Sequence, residues 1–255
     1  MKALILGSGT STGVPRVGND WGDCDPEEPR NRPLRASILV ESDDGSRLLV
    51  DTSTDLRAQL LANDIDRIDG VFWTHEHADH CHGIDDLRVL RYGRGGPLLG
   101  YAHSDVVRIL RQRFGYAFAG QHGYPTIISL DSLDRLRICA GIGVASVQMP
   151  HGPGETTGFR FDSDGKTIVY ATDFSAITRE MLDLFYGCDV LIVDCLRREP
   201  HPTHCHLEMA IELASATRAK KAVLTHLDKS MDYATLSRVV PDHVLVGYDG
   251  MEVSA

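Results

Sequence analysis

Six times along this chain a run of β-branched and aliphatic residues ends on an aspartate or a histidine: "LLVD" at Asp51, "VFWTH" at His75, "VQMPH" at His151, "IVYATD" at Asp173, "LIVD" at Asp194 and "AVLTH" at His226. Each run reads as a buried strand. If the strands are neighbours, their tips converge on one edge of the sheet. A site there collects side chains from distant parts of the sequence. The densest tip is "THEHADHCHG" at residues 74–83, with four histidines and two carboxylates in ten residues. Such crowding is costly, because buried polar groups without partners lose free energy. A pair of metal ions resolves that cost.

The rest of the pattern fits an α/β architecture. "KALILGSGT" reads as a strand entering a glycine turn, and "ASILVES" and "SRLLVDT" as strands around a "DDG" turn. "DLRAQLLANDI", with Thr54 or Asp55 as cap, "DDLRVLRYG", "SDVVRILRQRFG", "TREMLDLFYG" and "LEMAIELASATRA" carry helical spacing. "LRICAGIGVASVQMPH", "TTGFRFDS", "KTIVYATD", "DVLIVDC", "KAVLTHL" and "HVLVGYDG" read as strands, with a tight hairpin at the "DG" of 164–165. Strands dominate each half and helices follow them, which predicts a two-sheet core with helices on both outer faces. No Pro/Ser/Gly-rich linker or charge block divides residues 1–255, so a single domain is expected.

Zinc accepts imidazole nitrogen and carboxylate oxygen, and two such ions roughly 3.5–4 Å apart clamp the attacking and leaving oxygens of a hydrolysis. In "HEHADH", His75 and His77 are two apart and face the same side of an extended segment, while Asp79 and His80 sit where the chain turns into a helix. One ion can take the histidine pair and a second the Asp-His pair. His151, Asp173 and His226 complete the two shells, with Asp173 able to bridge. A lone histidine would read as a solvated side chain. A surface histidine tract would leave the later strand-end ligands unexplained.

"THEHADH" matches the HxHxDH motif of the metallo-β-lactamase superfamily, and "MPH", "YATD" and "LTH" follow in that superfamily's order. The resemblance covers nearly the whole chain. It implies a four-layer αββα sandwich with a dinuclear edge site: His75, His77 and His151 on the first metal, Asp79, His80 and His226 on the second, and Asp173 bridging. "GSGTSTGVP" and "GYDGMEV" look most like the phosphodiesterase branch that contains PhnP and ribonuclease Z. "HPTHCHLEMAIEL" is similar to the segment that supplies that branch's general acid, and the matched position is His204. The resemblance thus implies His204 and Asp79 as catalytic residues and two divalent ions, Zn2+ or Mn2+, as cofactors. The expected reaction is hydrolysis of a small or cyclic phosphodiester, of nucleotide or ribose type, by water ionised between the ions. Processing of tRNA 3′ ends, and thioester or lactone hydrolysis, are the rival activities; a metal-binding or sensory protein without catalysis is the rival class. PhnP's separate structural zinc needs several cysteines, whereas "NDWGDCDPEEP" has only Cys24 and Lys229 stands near the expected histidine. That loop is therefore expected to be ordered without zinc.

With 36 acidic against 26 basic residues the formal charge is −10, which repels a polyanion such as RNA. No nucleic-acid partner is expected. "MKALILGSGT" is too brief for a signal h-region and no stretch approaches membrane-spanning length, so a cytoplasmic protein without a membrane partner is expected. The six cysteines lack CxxC spacing and read as reduced thiols. A homodimer is expected by analogy alone.

Asp51 and Asp194 read either as acceptors that orient ligand histidines or as caps of the next turn. Arg16, Arg30, Arg32 and Arg35, clustered near the glycine turn, read first as a solvated loop balancing local acids, with pairing of one of them to a substrate phosphate as the alternative. "GSGTSTG" lacks the Lys-Ser/Thr of a P-loop; its glycines let the backbone turn closely beneath the metal site. His82 reads as a neighbour of the cluster and His206 as a helix-start residue. "GYAFAGQHGYP" at 115–125 reads as either a flap over the pocket or an aromatic surface loop.

Overall fold

In the computed structural model, which describes residues 1–92, 94–120 and 123–255, the strands fall into two seven-stranded sheets. Strands β1 (Lys2–Gly7), β2 (Ser37–Glu41), β3 (Arg47–Val50), β4 (Gly70–Trp73), β5 (Leu98–Ala102) and β6 (Ile128–Ser132) belong to the first. The second holds β7 (Ile138–Cys139), β8 (Ile142–His151), β9 (Gly154–Ser163), β10 (Lys166–Ala171), β11 (Val190–Asp194), β12 (Lys221–Thr225) and β13 (Val244–Val246). The final strand β14 (Glu252–Ser254) returns to the first sheet beside β1.

A period of two in each strand sorts side chains between layers. Leu48, Val50 and Phe72 point between the sheets, where they share a core with Phe159, Phe161, Ile168, Tyr170 and Ile192. Phe72 meets Phe159 and Phe161 edge-on at centroid distances of 5.6 and 5.8 Å. The alternate residues Leu49, Val71 and Trp73 face outward onto helices α1 (Leu56–Ala62), α3 (Leu87–Arg91) and α4 (Ser104–Arg113), with α2 (Ala78–Cys81) inserted before α3. After α5 (Gly115–Ala119), helices α6 (Arg179–Phe185), α7 (Leu207–Ala216) and α8 (Tyr233–Ser237) cover Val169, Leu191, Val193 and Leu224 on the other outer face. The result is the αββα sandwich.

Direction decides where the site forms. β3 through β6 are mutually parallel, and so are β10 through β13. β8 is antiparallel to β9, which is antiparallel to β10, so β8 also ends on the same side as β10. Carboxyl ends of parallel strands are where open α/β sheets bind ligands; the tips of β3, β4, β10, β11 and β12 are such ends, and β8, though its partners are antiparallel, ends beside them.

The glycine turn after β1 lies hard against neighbouring backbone: a Cβ on Gly7 would collide with the Arg35 carbonyl. Ser8 O accepts from Leu227 N at 2.8 Å and Thr10 N donates to Leu227 O at 3.1 Å, so the turn braces the segment that carries His226. The Asp249 carboxylate accepts from Ser8 N, Ser8 Oγ and Leu34 N, which joins "GSGT" to "GYDG". In the loop around Cys24, Asp232 accepts from Asn31 Nδ2 at 2.7 Å and Asp25 N at 3.2 Å, and Lys229 Nζ reaches Asp20 at 2.6 Å. Among the described residues no helix is long and apolar enough to cross a membrane.

Candidate metal centre

Three of the strand tips leave their sheets through left-handed backbone on non-glycine residues: φ is 65° at Asp51, 58° at Asp173 and 60° at His226. Aspartate and histidine tolerate this region better than most residues, yet it costs on the order of 1–3 kcal/mol each. The sharp turn aims each side chain back over the strand end.

All seven residues expected to ligate metal meet at this edge. His75, His77, His151 and Asp173 present donor atoms within 4.8 Å of one another, and so do Asp79, His80 and His226. Asp173 stands between the groups with one oxygen toward each. Its Oδ2 is 3.9 Å from both His75 Nε2 and His151 Nε2, and its Oδ1 is 3.4 Å from both His80 Nε2 and His226 Nε2. Asp79 Oδ2 lies 3.3 Å from His80 Nε2 and 3.7 Å from His226 Nε2.

The opposite ring nitrogens are held from behind. His80 Nδ1 donates to Asp51 Oδ2 at 2.7 Å. Asp51 also accepts from Thr74 N and Thr74 Oγ1, and Thr74 Oγ1 in turn accepts from His75 Nδ1 at 3.0 Å. His151 Nδ1 donates to the Thr203 carbonyl at 2.8 Å. These bonds fix the tautomers and turn each Nε2 into the cavity. The Nε2 atoms of His75, His80 and His226 are buried and have no hydrogen-bond partner among the described residues. A protein does not leave several such nitrogens unpaired without something to receive them. Divalent metal suits a donor set of imidazoles and carboxylates.

Electrostatics agree. Burial disfavours the imidazolium of His226, but Asp173, Asp79 and Asp194 outweigh it and hold the pKa up at about 9. His80 is likewise held well above the ordinary histidine value by Asp173, Asp51 and Asp79 against the effect of burial. His75, buried and beside His80, is pushed well below it. The carboxylates thus attract positive charge to the place where a cation fits.

Asp51 and Asp194 both act on histidines. Asp194 Oδ2 is 3.2 Å from His204 Nδ1 and its Oδ1 is 3.6 Å from His226 Nδ1. The His204 ring stacks on that of His226 at a centroid distance of 4.9 Å. A cavity of about 430 Å³ opens over the cluster, lined by His204 with Ser11, Glu76, Pro153, Glu155 and Thr203. Glu76, Glu155 and Thr203 escaped the sequence reading. Their places beside ligand histidines in "HEH" and "HGPGE" were the signal that could have found the first two, whereas nothing in the sequence marks the Thr203 carbonyl.

Other expected positions lie elsewhere. Arg30 pairs with Glu28, Arg32 covers Trp21, and Arg35 binds Asp55 and the Ser11 carbonyl. His82 is exposed against Phe114, and His206 precedes the first turn of α7. Of the 115–125 segment, Gln121 and His122 lie outside the described residues. Tyr116 and Tyr124 line a different cavity, with Arg88, Arg91 and Tyr92, so the described part of the segment does not cover the metal cluster.

Residues 46–227 match the family model described as a beta-lactamase superfamily domain, and the chain belongs to the metallo-β-lactamase superfamily of hydrolases. Within it the chain resembles the PhnP branch. A solved structure described as a new diphosphatase from the PhnP family shares 34% identity over 99% of this chain and 97% of that one, with a TM-score of 0.89. Zn2+-bound PqqB from Methylobacterium extorquens (20% identical, covering 100% of both chains, TM-score 0.78) and human tRNase Z, short form (18%, covering 100% of this chain and 99% of that one, TM-score 0.73), share the fold. An octanoyltransferase of Porphyromonas gingivalis is 33% identical over 99% of this chain, but the match takes in 51% of its length. The chain thus spans about half of that relative.

Proposed function

We infer that this protein is a dinuclear metal-dependent phosphodiesterase acting on small or cyclic phosphodiesters. The observation that carries the reading is the division of Asp173: one carboxylate oxygen faces each donor group, 3.9 Å from two histidines on one side and 3.4 Å from two on the other. His75, His77 and His151 would hold one ion, and Asp79, His80 and His226 the other. Bound there, two divalent cations supply Lewis acidity and ionise water at a pH of about 7.

The chain's own residues supply the rest. Asp51 and the Thr203 carbonyl keep His80 and His151 in the tautomer that offers Nε2. Asp194 receives the Nδ1 proton of His204, which leaves Nε2 to hold a proton for the departing alkoxide. The anionic pocket walls and the net charge of −10 oppose a tRNA substrate. A second reading, cleavage of a phosphoric anhydride, draws on the likeness to the PhnP-family diphosphatase. Acyl transfer through a thiolate finds no nucleophile, since all six cysteines are buried and burial raises the pKa of each.

Turnover of bis(p-nitrophenyl) phosphate, a disubstituted diphosphate, a thioester and a lactone, with metal analysis of the same sample, tests the reading. Asp173→Ala should abolish phosphodiester turnover and lower the metal content. His204→Ala should keep the metal and lose kcat by roughly a hundredfold. Full activity in either variant overturns the roles assigned.

A further inference from the structure

We propose that a second cavity, apart from the metal centre, binds a small anion carried on a planar aromatic ring, the chemistry of a nucleoside monophosphate or an aromatic carboxylate. The cavity has a volume of about 360 Å³ and is walled by Arg88, Arg91, Tyr92, Tyr116, Tyr124 and Ile127. Cavities that take small molecules begin at roughly 300 Å³. None of these six residues lines the metal cavity. The first observation is charge. Residues 87–130 hold six of the chain's 26 basic residues, all arginine, but only one of its 36 acidic residues, Asp105. This stretch therefore carries +5, while the rest, with 20 basic against 35 acidic residues, carries −15. Arg111 and Arg113 donate to the carbonyls of Leu130 and Glu76, which hold the guanidinium groups without cancelling their charge. An acidic molecule thus keeps one outer layer that attracts anions.

The second observation is the pair of arginines in the wall. Arg88 and Arg91 stand three residues apart on α3, so they share one helix face, where like charges repel. Arg88 meets Asp85 at 3.4 Å, a long contact between half-exposed groups. Arg91 Nε is buried and has no hydrogen-bond partner among the described residues. A buried guanidinium N–H seldom goes unpaired, and one anionic group can accept from both arginines. The third observation is the aromatic part of the wall. Tyr92 and Tyr124 are 62% and 71% exposed, which leaves their rings free to receive a partner. Tyr116 is fixed by its hydroxyl, which donates to Asp85 Oδ2 at 2.6 Å. These rings and Ile127 favour a flat apolar body attached to the anion, because a phenol ring stacks on any planar partner. A second copy of this chain would bring its own arginines against these, so like charge opposes a symmetric contact here.

Calorimetry on the metal-loaded protein tests this with adenosine 5′-monophosphate, adenosine, inorganic phosphate and 4-hydroxybenzoate. The monophosphate should bind roughly tenfold or more tightly than either adenosine or phosphate. Arg91→Gln and, separately, Tyr124→Ala should each weaken it by roughly tenfold, with metal content and melting temperature unchanged. Asp173→Ala, which disables the metal centre, should keep the affinity and so separate this cavity from that one. If 4-hydroxybenzoate binds with the same dependence on Arg91 and Tyr124 while the monophosphate does not, the site stands and its ligand is an aromatic carboxylate. Binding of none of the four, phosphate binding as tightly as the monophosphate, affinities unmoved by both substitutions, or affinity lost in Asp173→Ala each overturns the proposal. So does a change of oligomeric state in Arg91→Gln, read by sedimentation, which would make this layer a contact between copies of the chain.

Discussion

Asp51→Asn isolates what one buried hydrogen bond contributes to one half of the metal centre. Asp51 and His80 are both 0% exposed and meet at 2.7 Å, a charge-assisted bond in a region closed to water. Asparagine retains an acceptor for Thr74 but lacks the charge that keeps the His80 Nδ1 proton in place. A bond of this kind is worth about 1.5–3 kcal/mol, or roughly tenfold to a hundredfold in affinity. That loss should fall on the ion shared by Asp79, His80 and His226. The group of His75, His77 and His151 is held instead through Thr74 and the Thr203 carbonyl, so its affinity should change by less than about threefold. Metal-stripped protein titrated with Zn2+ against a chelating indicator resolves two dissociation constants. Thermal melting of the metal-free variant reports separately on the fold. Two unchanged constants, or equal losses in both, would refute the idea that Asp51 acts on one ion through His80.

Much of the fold was legible because burial leaves a strong periodic mark. Runs such as "LLVD" and "LIVD" lie in β3 and β11, sealed on both faces, and their polar terminal residues stand out against apolar neighbours. β6 was missed because Ser129 and Asp131 dilute the apolar signal near the sheet edge, and β5 because it is a five-residue run broken by Gly100. β14 was missed because three residues pair with β1 from far along the chain, a relation that local pattern does not carry. α8 has five residues and gains its stability from packing Leu236 and from Asp232, whose carboxylate accepts from Thr235 N. At the site, the strand-tip residues could be read one by one. The left-handed turns at Asp51, Asp173 and His226 could not, since no glycine announces them. The bond from His151 to the Thr203 carbonyl is likewise absent from any local spacing.

Phe72→Ala removes a ring that is 0% exposed between the sheets and in contact with Phe159 and Phe161; urea unfolding should show a loss of about 3–5 kcal/mol. Asp232→Ala deletes the acceptor for Asn31, Asp25 and Thr235 and should cost about 1–2 kcal/mol at neutral pH. Against the effect of burial, the donors from Thr235 and Asn31 hold the Asp232 pKa down at about 2, so the difference from the parent should fade as acid denaturation curves pass from 3.8 toward 2. The pH dependence of metal uptake follows from His226. Its pKa in the folded, metal-free protein rises from 6.5 to about 9, so its stabilising pairing is complete below 6.5 and is lost as pH climbs through 9. A metal ion competes with that proton for the same Nε2 lone pair, and His80, also held high, adds a second competitor. Affinity must therefore rise with pH across this window, and proton release on binding must be largest at its acid end. Calorimetry in buffers of different ionisation enthalpy measures that release. Binding that releases no protons near pH 6.5, or that weakens as pH rises toward 9, would mean that His226 and His80 do not hold the metal.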